Sequence, residues 1–255
     1  MSLDEDFCFE EFADRVAELV EKHVNINRLL ELTKPVATAV VPISAGRHIY
    51  KRESSFPIAV ACDPAFNFVY EANIRYLHHL GEVTYFSPLA DTSLPDAGFV
   101  YLPGGYPELY LAALSANRQM LQSIRRYVES GGKLLAECGG MMYLCDEIRD
   151  KNGYVYPMAG VLHQSATMEN MKLRLGYRTL LYNETRLKGH EFHYSRLVEQ
   201  QNPLPSCAVA YTAKGVETDT PLYHYKNVWA GYTHLYWADP VGNEWFTKFV
   251  IDGNT

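Results

Sequence analysis

The chain has 255 residues, 47% of them hydrophobic and 21% charged, which suits a globular protein of one large domain, or one domain plus a fragment. A formal charge of −7, with Lys and Arg scattered, excludes a non-specific nucleic-acid binder, because no basic block neutralises phosphates. The five cysteines are odd in number and contain no C-x-x-C pair, which argues against a disulfide framework or a zinc ribbon and for a reducing, cytoplasmic setting. The acidic opening does not read as a signal peptide, and no apolar run approaches the roughly 20 residues a bilayer span needs.

Apolar residues from Phe12 to Ile26 recur at three- and four-residue spacing, which predicts a helix over about 10–31. Thr33-Lys34-Pro35 ends it, and a linker with Pro and Gly runs to about Phe56. From Pro57 the pattern alternates strand and helix, as in an α/β sheet. The expected strands are Ile58–Cys62, Val83–Phe86, Phe99–Leu102 and Lys133–Ala136. Helices are expected over Tyr70–Leu80, Pro107–Ser130 and Met141–Ile148, with Gly81 and Gly131-Gly132 as terminators. Short strands come next, notably Tyr156–Leu162, Leu173–Tyr182 and Ala208–Thr212, and a helix over about Pro240–Ile251 closes the chain.

Leu134-Leu135-Ala136-Glu137-Cys138-Gly139-Gly140 runs an apolar strand straight into a cysteine with small residues two before and two after it. A strand-to-helix elbow needs such residues, because its tight turn leaves no room for bulk. Cys138 then stands above the sheet edge near a helix N-terminus, a position expected to lower its thiol pKa. A buried core cysteine is the plain alternative. Pro103-Gly104-Gly105-Tyr106-Pro107 follows another strand, and its glycines suit a backbone oxyanion hole at the same sheet edge, although a simple turn reads equally well. A thiol nucleophile needs a base, and nine histidines compete. His234, in Gly231-Tyr232-Thr233-His234-Leu235, follows a late strand and would face the cysteine. A histidine bonded among aromatics is its alternative. In Gly189-His190-Glu191-Phe192-His193-Tyr194-Ser195, His190 and His193 point to opposite faces of a strand, which argues against a metal site and for a substrate-side or structural polar cluster.

Four ordered motifs, Leu-Pro-Gly-Gly-Tyr-Pro-Glu at 102–108, Ala-Glu-Cys-Gly-Gly-Met-Met-Tyr at 136–143, Gly-His-Glu-Phe-His-Tyr-Ser at 189–195 and Gly-Tyr-Thr-His-Leu at 231–235, together resemble the C-terminal glutaminase domain of the cobyrinic acid a,c-diamide synthase family of corrin biosynthesis. The resemblance implies a class I, triad-type glutamine amidotransferase fold: an α/β, mostly parallel, flavodoxin-like sheet flanked by helices, with a nucleophile elbow. It implies that residues 51–255 form the glutaminase domain, and that 1–50 are the tail helix of an N-terminal ATP-dependent synthetase domain plus a linker. It further implies Cys138 as nucleophile, His234 as base, and the N–H groups of Gly105 and Gly139 as oxyanion hole, with no cofactor or metal in this domain. Glutamine would be the substrate. The ammonia would pass to the synthetase domain, which uses ATP and magnesium to activate carboxylates of cobyrinic acid. No nucleic-acid or membrane partner is implied. Many triad enzymes carry an acid two residues after the histidine; here that position is Tyr236, which leaves Glu191 as a possible accessory acid. No G-x-x-x-x-G-K-[ST] phosphate loop occurs in the chain. Three other readings stay open: the glutaminase domain of a cobyric acid synthase or nickel-sirohydrochlorin amidating enzyme, a non-catalytic glutaminase-like module, and a free-standing cysteine hydrolase.

Overall fold

A computed structural model describes residues 9–33 and 56–252. Two compact units divide the chain, Met1–Tyr50 and Lys51–Thr255. In the first, helices α1 (Phe9–His23) and α2 (Ile26–Leu32) replace the single helix expected over 10–31. Asn25 causes the break: its side-chain oxygen accepts the Arg28 N–H at 2.9 Å and so starts a new helix. Most of the linker expected between Thr33 and Phe56 lies outside the described residues.

The second unit opens with β1 (Pro57–Ala61), α3 (Glu71–Leu80), β2 (Glu82–Phe86) and β3 (Phe99–Leu102), in the alternation the sequence predicts. The long helix expected over Pro107–Ser130 is three pieces: a 3-10 turn at Pro107–Leu109, α4 (Leu111–Ala116) and α5 (Arg118–Glu129). Asn117 divides α4 from α5. Its Oδ1 accepts the Met120 N–H, while its Nδ2 donates to the carbonyls of Pro88 and Asp91, so the side chain competes with helix continuation and ties the break to the β2–β3 loop. Strand β4 (Lys133–Glu137) passes through Cys138 into α6 (Gly139–Leu144). This helix stops short of the expected Ile148, because β5 (Glu147–Arg149) leaves to pair with β6 (Val155–Pro157) and β7 (Ser165–Thr167). The strand expected over Tyr156–Leu162 is thereby confined to β6.

Strands β8 (Arg174–Tyr182) and β9 (Thr185–His193) form a long hairpin. Asn183 and Glu184, both at positive φ, make its two-residue turn. After them come β10 (Arg196–Leu197), β11 (Val209–Thr212), β12 (Glu217–Thr218), β13 (Leu222–Tyr225), β14 (Val228–Gly231) and β15 (His234–Leu235). Helix α7 (Pro240–Thr247) continues as a π-helical turn, Lys248–Asp252.

The central sheet runs in the order β13-β14-β4-β3-β1-β2. All its pairings are parallel except the β13–β14 edge hairpin. From β2 inward this is the doubly wound order 2-1-3-4-5 of flavodoxin-like folds, whose ligands bind beyond the carboxyl ends of the strands. Successive side chains point to opposite faces, so the central strands are buried on both. Ile58, Val60, Phe99, Tyr101, Leu135 and Trp229 pack with α3 and α7, and Ala59, Val100, Leu134, Ala136 and Val228 pack with α4, α5 and α6. A five-stranded antiparallel sheet, β12-β11-β8-β9-β15, shares with the central sheet the chain that runs from β14 into β15.

Asn73 of α3 fixes that run. Fully buried, it donates Nδ2 to the Leu235 carbonyl at 2.8 Å and accepts the Trp237 N–H on Oδ1 at 2.9 Å. Asn73→Ala orphans two buried main-chain groups, each costing about 1–3 kcal/mol. Denaturant unfolding is expected to lose stability on that scale, whereas removal of a dispensable contact would shift it by less than about 0.5 kcal/mol.

Candidate active site

Three main-chain segments meet beyond the carboxyl ends of β3, β4 and β14. Residue Cys138 leaves β4 at φ 48° and ψ −105°, a conformation costly for a non-glycine residue. Its N–H donates to the Gly231 carbonyl at 2.8 Å, so the neighbouring strand holds the elbow. Gly140 has to be small: a Cβ there would sit 2.1 Å from the Leu102 carbonyl oxygen. This is the strand-to-helix elbow the sequence predicts, with the thiol buried at 4% exposure.

The glycine pair after β3 lies directly against both neighbours. A Cβ on Gly104 would fall 2.1 Å from Cε1 of His234, and one on Gly139 would fall 3.2 Å from the Gly105 nitrogen. Gly105 at φ 157° is itself pressed on the Ala65 carbonyl, where its Cβ would lie 2.1 Å away. Thus the structure brings the Gly104–Gly105 loop, the Cys138–Gly139 elbow and His234 into one closed cluster. The thiol points at the main-chain carbonyl oxygen of Phe192 in β9, 3.9 Å away.

His234 is buried and stacked on His190 with ring centroids 4.9 Å apart, and meets the edge of Phe68 at 4.5 Å. Tyr70 reaches His190 Nδ1 at 2.5 Å, and Tyr236 lies edge-on to Tyr70 at 5.5 Å. So His190 belongs to the aromatic wall behind His234. On the opposite face of β9, His193 stacks on Tyr232, and Ser195 bonds the Tyr232 hydroxyl at 3.1 Å. Glu191 is buried with its carboxylate 2.7 Å from the Arg178 guanidinium. No ion pair or hydrogen bond joins it to His234 among the described residues.

A carboxylate that sequence spacing does not reveal lies beside His234 instead. Glu137, the residue before Cys138, is buried with Oε2 4.0 Å from His234 Nδ1. Tyr101 donates its hydroxyl to Oε2 at 2.7 Å, and the Leu235 N–H donates to Oε1 at 3.0 Å. The only sequence signal is a charged residue ending an otherwise apolar buried strand. Among the described residues no cluster of three or more His, Cys, Asp or Glu side chains could hold a metal ion.

The electrostatics correct one expectation. Burial, aided by the negative charges of Glu108, Glu137 and Glu191, pushes the Cys138 thiol well above its ordinary value. The opposing pull of the Gly139 N–H, at the start of a six-residue helix, is too small to reverse this. Burial and the neighbouring His190 and His193 push His234 down to about 3. Burial likewise raises Glu137 to about 8, against the two hydrogen bonds that lower it. The closed site therefore holds a neutral thiol and a neutral imidazole.

Comparison with known proteins matches residues 57–241 to the CobB/CobQ-like glutamine amidotransferase domain. The cobyrinate a,c-diamide synthase of Picrophilus torridus is 37% identical over 236 residues, 88% of this chain and 49% of that protein. The hydrogenobyrinate a,c-diamide synthase of Pseudomonas aeruginosa is 37% identical over 235 residues, 89% of this chain and 52% of its own. The chain thus spans about half the length of the curated relatives it matches. Among solved structures, a glutamine amidotransferase superposes with TM-score 0.50 at 17% identity, covering 76% of this chain and 98% of that one. PurLQS from Thermotoga maritima gives TM-score 0.50 at 16% identity, covering 78% and 97%. These two likenesses establish the fold, class I amidotransferase-like as the sequence predicts.

A raised thiol pKa leaves Cys138 protonated at pH 7.5, and burial hides it. Treated with iodoacetamide at that pH, the protein is expected to alkylate the exposed Cys62 well before Cys138. Peptide mass mapping reads the order, and faster labelling of Cys138 would refute the neutral-thiol assignment.

Proposed function

This chain belongs to the CobB/CobQ-like glutamine amidotransferase family, and on that premise we propose that it hydrolyses the side-chain amide of glutamine at Cys138 and delivers the ammonia to an ATP-dependent synthetase. The observation that carries this reading is the convergence of elbow, glycine loop and His234 beyond three adjacent parallel strands. His234 accepts the thiol proton as sulfur attacks the amide carbon. The N–H groups of Gly105 and Gly139 face the oxyanion of the tetrahedral adduct. Collapse breaks the C–N bond, His234 returns the proton to the leaving group, and ammonia departs from a γ-glutamyl thioester. Water, deprotonated by His234, cleaves the thioester to glutamate and the free thiol.

The relatives point to the ammonia acceptor. Those named cobyrinate or hydrogenobyrinate a,c-diamide synthase support amidation of a corrin substrate, and we infer that a synthetase domain using ATP and magnesium lies in the half of such proteins outside this match. Residues 1–50 would then be the end of that domain and a linker, and α1 supports this with Val16, Leu19 and Val20 exposed along it. No helix among the described residues is long and apolar enough to cross a membrane. A cytoplasmic location fits this reading.

The test is covalent capture with 6-diazo-5-oxo-norleucine, a glutamine mimic. One adduct on Cys138, suppressed by excess glutamine and absent in Cys138→Ala, is the expected mass-spectrometric result. A protein that stays unmodified even beside its synthetase domain would make the non-catalytic module the leading reading. In the same assay, His234→Ala is expected to slow capture about 10²–10⁴-fold, and a wild-type rate would remove it as the base.

A further inference from the structure

We propose that Glu137 is the positioning acid of the site, holding His234 in the tautomer and orientation that let its other ring nitrogen face the thiol. The inference rests on the glutaminase reading above and supplies the partner His234 otherwise lacks. The position two residues after the histidine is occupied by Tyr236, which packs on Tyr70 and carries no acid. Glu191 is engaged by Arg178. The Nδ1 atom of His234 is buried with no hydrogen-bond partner, and the nearest carboxylate oxygen is Glu137 Oε2 at 4.0 Å.

Geometry makes the assignment specific. A buried acid placed only to fill space would leave its oxygens with arbitrary partners. Here one oxygen takes the N–H of Leu235, the residue next to His234, and the other takes the Tyr101 hydroxyl while facing the imidazole. Glu137 therefore holds the main chain beside the base and faces its ring at 4.0 Å. It is also covalently next to Cys138, whose N–H is tied to the Gly231 carbonyl three residues before His234. Nucleophile and base are thus positioned from the same strand end. Ionised Glu137 would accept a hydrogen bond from Nδ1–H, which leaves Nε2 as the proton acceptor, and would balance the imidazolium formed when the thiol ionises. A shift of about 1 Å brings Nδ1 and Oε2 into hydrogen-bond range.

The groups facing Glu137 are Tyr101, Tyr70, His234 and Cys138, and His190 and His193 act in turn on His234. Burial holds its carboxyl at about 8, above the usual carboxylate range, so its ionised form is gained as pH rises. Activity that needs ionised Glu137 falls as pH drops through that value.

The experiment measures, on the full chain with its synthetase domain, the pH profile of glutaminase kcat and KM and of capture by the diazo mimic, for wild type, Glu137→Gln, Glu137→Asp and Tyr101→Phe. We expect Glu137→Gln to lose about 10²-fold or more in kcat with little change in KM, and to lose the acid limb. Glu137→Asp should recover part of the rate. Tyr101→Phe removes a hydrogen bond that lowers the Glu137 pKa, so the limb should move to higher pH; this variant keeps the test decisive if Glu137→Gln does not fold. Wild-type kcat and an unmoved limb in Glu137→Gln, or an unmoved limb in Tyr101→Phe, would overturn the role while wild-type capture still upholds the glutaminase reading. Wild type that fails to capture the mimic would overturn both.

Discussion

Close approach of main chain at one end of a parallel sheet is the constraint on which this site depends. Four glycines make it. At Gly104, Gly105, Gly140 and Gly189 a Cβ would come to 2.1–2.2 Å of the His234 ring, the Ala65 carbonyl, the Leu102 carbonyl and the His234 carbonyl in turn. Real Cβ contacts never fall that short, so each glycine is a statement about which backbones touch. Two of them, Gly104 and Gly189, clamp His234 between the loop after β3 and strand β9. The strained Cys138 elbow persists only because its surroundings over-determine it: the Gly231 carbonyl holds its N–H, Gly140 fits against β3, and α6 begins at once.

Much of this was legible in the sequence. The strand pattern gives the parallel sheet because strands buried on both faces read as short apolar runs. The Ala-x-Cys-x-Gly spacing gives the elbow, because sterics there admit few residues. Helix breaks were less legible. Apolar periodicity continues through Val24 and through Asn117, and the helices end where a side chain chooses a local backbone partner, Asn25 on Arg28 and Asn117 on the β2–β3 loop. The fate of residues 147–162 depended on pairing with β7, a tertiary choice that periodicity does not encode.

The acid beside His234 was illegible for a different reason. Glu137 and His234 are far apart in the chain, and their proximity comes from the β4–β14 register, Gly231 opposite Glu137. Spacing along one segment finds an acid two residues after a histidine; it cannot find one supplied by the neighbouring strand. Asn73 was hidden in the same way, since its partners are Leu235 of β15 and Trp237 two residues later. Both Glu137 and Asn73 are polar, buried and directed at the main chain around His234. A charged or amide residue in an otherwise apolar buried element is therefore the sequence feature to pursue, since burial without a partner would cost several kcal/mol.

Burial that builds the site also sets its resting chemistry. Water exclusion raises the thiol and lowers the imidazole, so proton transfer between them is uphill in the closed state. Glu108 and Glu191 add to the barrier by raising the thiol further. A bound glutamine amide or admitted water reverses the trend, because any polar group that solvates the thiolate and imidazolium pulls both pKa values toward each other. The cluster brings its groups together with the thiol and the imidazole neutral, and with His234 Nδ1 still 4.0 Å from Glu137 Oε2. Phe68 and His190 pack against the His234 ring, so the contacts that orient the imidazole also help to exclude the water that would favour its charged form.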